Sequence, residues 1–70
     1  MTALENGMEI AREYGKRSFY EDYEIHQKEW KNYGKHRIYI TLDGISNGKV
    51  QKTYKIGWVD VKENKFVKTV

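Results

Sequence analysis

The chain has no cysteine and no proline. Without cysteine there is no disulfide to staple a small fold and no thiolate for a zinc site. Nor does any stretch approach the roughly 20 apolar residues that a membrane-spanning helix needs. The opening MTALENGMEI carries Glu5 and Glu9 and no basic segment, so it does not read as a secretory signal. These absences lead us to expect a cytoplasmic protein with no membrane partner. No proline, linker or low-complexity tract divides the 70 residues. They read as a single small domain over 1–70, helical over 2–34 and sheet over 36–69. A domain this small buries only about 60% of the surface its unfolded chain exposes. Aromatic burial must therefore contribute: there are six Tyr, two Phe and two Trp, each able to bury about 150–250 Å².

Charge is also unevenly placed. Residues 1–34 hold five Lys/Arg against seven Asp/Glu, whereas 35–70 hold eight Lys/Arg against Asp43, Asp60 and Glu63. A basic half of this kind favours an anionic partner, most often nucleic acid, although a solvated lysine-rich surface has the same composition.

Along the chain, Thr2 and Glu5 match a capping box, with Leu4, Met8 and Ala11 forming an apolar face behind it. Asn6-Gly7 weakens the first turn, so a start near residue 7 fits equally well. Ser18 and Glu21 match a second capping box. Behind it Phe19, Tyr23, His26, Trp30 and Tyr33 span about 80° of a helical wheel. The competing reading is a strand over 19–25, in which Phe19, Tyr23 and Ile25 alternate with Tyr20, Asp22 and Glu24. The capping box and the longer stripe favour helix and leave Ile25 unexplained. Two stretches, EYGKR at 13–17 and NYGKHR at 32–37, resemble each other. Gly15 and Gly34 would each suit the left-handed residue just past a helix C-terminus.

After Gly34 the period drops to two. Ile38, Ile40 and Leu42 alternate with Arg37, Tyr39 and Thr41. DGISNG over 43–48 reads as a loop. A second strand starts near Val50, and its apolar parity changes at Gly57, which implies a bulge. KENK turns, and FVKTV closes a third strand. The expected fold is α+β: two N-terminal helices packed on a three-stranded antiparallel β-meander, ααβββ.

Few residues carry readable chemistry. His26 sits in the aromatic stripe as a packing residue, and neither His belongs to a recognisable metal-ligand pair. Asp60-Val61-Lys62 and Glu63-Asn64-Lys65 share the acidic-x-Lys shape of metal-dependent nucleases, but that chemistry needs a second fixed acid. Asp43 is the nearest candidate. No glycine loop cradles a phosphate. The expectation is therefore a non-enzymatic domain with no cofactor and no metal. Its nucleic-acid contacts would come from Arg37, Tyr39, Lys49, Lys52, Lys55 and Trp58, with Lys35 and His36 at the margin. Lys and Arg would position phosphates and the rings would stack. The same exposed rings and arginine would also suit a protein interface, including a homodimer joined through an exposed strand edge such as FVKTV.

Overall fold

A computed structural model describes residues 2–70 as α+β, with one helix on a four-stranded antiparallel sheet. Helix α1 spans Ala3–Arg17, and strands β1 to β4 span Asp22–Asn32, Lys35–Ser46, Lys49–Asp60 and Lys65–Lys68. The sheet is a simple meander, β1-β2-β3-β4. Among the described residues no helix is long and apolar enough to cross a membrane.

The first capping box forms as read. Thr2 Oγ1 accepts from Glu5 N at 3.1 Å, and Glu5 Oε1 accepts from Thr2 N at 3.2 Å. The helix thus begins at Ala3 rather than near residue 7. It also runs past Gly15 to Arg17, where Ser18 closes it by donating from both backbone N–H and Oγ to the Gly15 carbonyl. Gly15 is therefore interior to the helix. It lets the backbone approach the Tyr23 ring so closely that an added Cβ would lie 2.6 Å from it.

The expected second helix does not form. Its residues make β1, the longest free edge of the sheet, and Ser18 is the end of one helix rather than the start of another. The physical reason lies in the partner strand. Tyr23 and Ile25 face Gly44 and Leu42 across the β1–β2 ladder, so they point under the helix, whereas His26, Lys28 and Trp30 face the opposite way. Ile25, unexplained on a helical wheel, packs against the core. Gly34 is likewise not a helix cap. Tyr33 and Gly34, like Asn47 and Gly48, have positive φ, as the tight two-residue turns of a twisted hairpin require. The expected loop over 43–48 shrinks to Asn47-Gly48, because Asp43 and Gly44 belong to β2. The bulge expected at Gly57 is present: the β2–β3 register shifts between Ile40 and Thr41. Ile56 and Gly57 are both buried at that point.

Core residues Ile40, Leu42 and Ile56 are fully buried, with Ala3, Ala11 and Val59 around them. At its N-terminus the helix is tied to the β3–β4 turn by Ala3 N donating to Asn64 Oδ1 at 2.9 Å. Gly7 sits over Ile40 and Phe66, and Gly15 over Tyr23. The helix therefore crosses the sheet diagonally, from β4 to β1. A 15-residue helix reaches only about 22 Å, against strands of 12 residues that span about 40 Å. Two opposite corners stay uncovered: the later part of β1, and the start of β3.

Candidate nucleic-acid interface

The sheet face away from the helix carries the side chains of most interest. Residues opposite one another in an antiparallel ladder share a face. One row across this open face is Trp30, Arg37, Asp60 and Lys65; the next is Lys28, Tyr39, Trp58 and Val67; a third begins His26, Thr41 and Lys55. Arg37 is the centre of a cluster. Its guanidinium lies 4.0 Å from the Trp58 ring centroid and 5.7 Å from that of Trp30, and Nη1 donates to Tyr39 Oη at 3.3 Å. A guanidinium over indole is attracted by the negative ring face, more strongly where water is partly excluded. Arg37 is half-buried, so the stack is held in place. Trp30, at 36% exposure, leaves part of its ring open.

Beside the cluster the β3 bulge opens a cavity of about 380 Å³, lined by Tyr39, Thr41, Lys55, Gly57, Trp58 and Thr69. Gly57 contributes no side chain to it, and the two rings and the hydroxyls of Tyr39, Thr41 and Thr69 give it apolar walls with polar points. That combination suits a planar heterocycle. Five cations, Lys28, Lys35, Arg37, Lys55 and Lys65, lie on this part of the face with Asp60 as the one carboxylate among them. Asp22, Glu24 and Asp43 collect toward the other end.

Of the residues expected from the sequence, Lys35, Arg37, Tyr39, Lys55 and Trp58 share the open face. His36, Lys49 and Lys52 have the opposite parity. His36 Nε2 bonds Glu29 Oε2 at 2.9 Å. That bond, and then the charge of Lys31, hold the Glu29 carboxyl below its usual range. Lys52 stacks its ammonium 5.1 Å from the Tyr54 ring, on the helix side. Trp30 and Lys28 were missed because their segment reads as helix. The available signal was the alternation of Glu24, His26, Lys28 and Trp30 with Tyr23 and Ile25.

The other polar groups are used structurally. Asp43 accepts from Thr53 Oγ1 at 2.6 Å and lies 3.0 Å from His26 Nε2. The threonine thus bonds the carboxylate rather than the imidazole, which is not the nucleophile–base contact of a hydrolase. Asp60 Oδ1 accepts from Glu63 N and closes the β3–β4 turn. Asp43 stands opposite Thr53 and Asp60 opposite Arg37, a separation of roughly 20 Å along β2, so the two acids cannot share one cation. Among the described residues no group of three His, Asp or Glu side chains could hold a metal ion.

A larger cavity, about 780 Å³, lies on the other side of the molecule. Ile10, Tyr14, Phe19, Tyr20 and Tyr54 line it, with Phe19 90% exposed. Tyr20 and Tyr54 share a hydroxyl hydrogen bond at 3.0 Å. That bond, and then burial, raise the Tyr54 phenol above its ordinary 10.0. A raised folded value means full stability below pH 10 and loss as pH rises through the folded value, since the unfolded chain ionises first. We expect Tyr20→Phe to bring the Tyr54 titration back toward 10, read from its ring ¹³C shifts. An unchanged titration would show that the hydroxyl bond is not its cause.

No protein-family model matches the chain, and no curated protein or solved structure shows a significant likeness to it.

Proposed function

We propose that this protein is a small, non-enzymatic, cytoplasmic nucleic-acid-binding domain, and that it holds single strands on the open face of its sheet. The observation that carries the reading is the placement of Arg37 against Trp58 and Trp30, inside a row of cations and beside a base-sized cavity. Rings on a flat sheet can stack unpaired bases, a contact that tolerates any sequence because every base has a π-face. Lysines on alternate positions of neighbouring strands would follow the phosphates. A duplex would hide its bases from such a face and retain only the phosphate contacts.

The test is a mobility-shift titration of single-stranded DNA, single-stranded RNA and duplex at about 50 and about 200 mM salt. Single strands are expected to bind more tightly than duplex. If all five cations meet phosphate, affinity should fall roughly a hundredfold between the two conditions. Absence of binding at the lower salt would end this reading. The aromatic groove around Phe19 favours a second reading, a protein-interaction module, in which a salt-tolerant partner would occupy that groove instead.

A further inference from the structure

The two edges of the sheet are unlike. β4 is only four residues long and β3 beside it is bulged, whereas β1 runs for 11 residues. Its ladder to β2 has no register shift. It has no proline, and its later part is exposed on both faces because the helix passes over only its beginning, at Tyr23. A long, straight, uncovered edge presents a row of outward N–H and C=O groups, which folded proteins ordinarily bulge, shorten or cover.

We propose that this edge pairs with the same edge of a second copy, antiparallel about a twofold axis at His26. The charge order of β1 supplies the argument. Partners across an antiparallel pair must share a face, so the axis falls on a residue. With His26 on the axis, Glu24 of each copy lies opposite Lys28 of the other on the open face. Ile25 lies opposite Gln27. Shifting the axis to Ile25 sets Asp22 against Lys28 but shortens the paired segment to 22–28. Shifting it to Gln27 leaves Glu24 opposite Trp30 and no acid opposite a lysine, and shifting it to Lys28 sets that lysine against itself. Opposite charges directly across a strand pair attract and like charges repel, so the His26 register is the longest that sets acid against lysine. Residues 22–30 of each copy would pair, giving a continuous eight-stranded sheet. The open faces would lie side by side, with a Trp30 from each copy near the seam.

This inference does not depend on nucleic-acid binding, and its test uses none. Sedimentation equilibrium of the full chain should show a concentration-dependent monomer–dimer equilibrium. Glu24→Lys and Lys28→Glu should each weaken it by about tenfold or more, because each sets like charges across both symmetry-related pairs. The double variant Glu24→Lys/Lys28→Glu restores opposite charges and should recover most of the affinity. Circular dichroism of each variant confirms that the monomer is folded. A chain that stays monomeric at high concentration overturns the proposal. So does a dimer that the single reversals leave intact, or one that the double swap fails to rescue.

Discussion

Replacing Ile40 with alanine is expected to cost about 2–5 kcal/mol of stability. The side chain is fully buried on β2, in the middle of the core. Gly7 of the helix comes so close that an added Cβ there would lie 2.8 Å from Ile40 Cδ1. Helix backbone and sheet therefore meet at this side chain, and truncation leaves a void that the helix cannot fill without moving off Phe66. A chain of 70 residues has a total stability of about 3.5–10 kcal/mol, so the loss is a large fraction of the whole. It should appear as a lower urea midpoint with an unchanged slope. Val50→Ala, at 56% exposure, should change stability by no more than about 0.5 kcal/mol. If the two variants behave alike, the helix does not seat on Ile40 as described.

The second large effect concerns the open face and rests on the proposed function. Trp58→Ala should weaken single-strand binding by about 1–3 kcal/mol, or roughly 5- to 150-fold. The dependence on salt should hardly change, because no phosphate contact is lost. Arg37→Ala should reduce affinity and also flatten the salt dependence by roughly one phosphate's share. Trp58→Phe keeps a ring and should recover part of the loss. The urea midpoints of these variants separate binding from folding, since Trp58 also contributes to packing. Equal effects of Trp58→Ala on slope and affinity would argue against stacking.

Local signals carried the reading of the chain where the structure is local. The Thr2–Glu5 box, the alternation of Ile38, Ile40 and Leu42, and the bulge at Gly57 each depend on residues near one another in sequence, and each forms. Residues 18–34 went the other way because their fold is decided from a distance. Tyr23, His26 and Trp30 satisfy a helical wheel, yet Tyr23 and Ile25 gain burial only as strand residues, beside Gly44 and Leu42 some 20 residues on and with Tyr23 under Gly15 of the helix. Ser18 and Glu21 spell a capping box whose serine instead closes the helix before it. The same misreading hid half of the candidate site. Arg37, Tyr39 and Trp58 were legible as basic and aromatic residues on strands, but Trp30 meets Arg37 only because β1 pairs with β2. The likeness of EYGKR and NYGKHR was also local only: one lies within a helix end, the other forms a hairpin turn.

The stack around Arg37 has an optical consequence. The chain has two tryptophans, and both lie against that one guanidinium. The tryptophan emission, excited at wavelengths that tyrosine does not absorb, therefore comes from a single place on the surface, with no labelling. A base stacking on Trp30, or a ligand displacing Arg37 from Trp58, would change the whole signal at once, whereas occupancy of the distant Phe19 groove would leave it nearly untouched. The molecule carries its own fluorescent reporter at the face on which its proposed function rests.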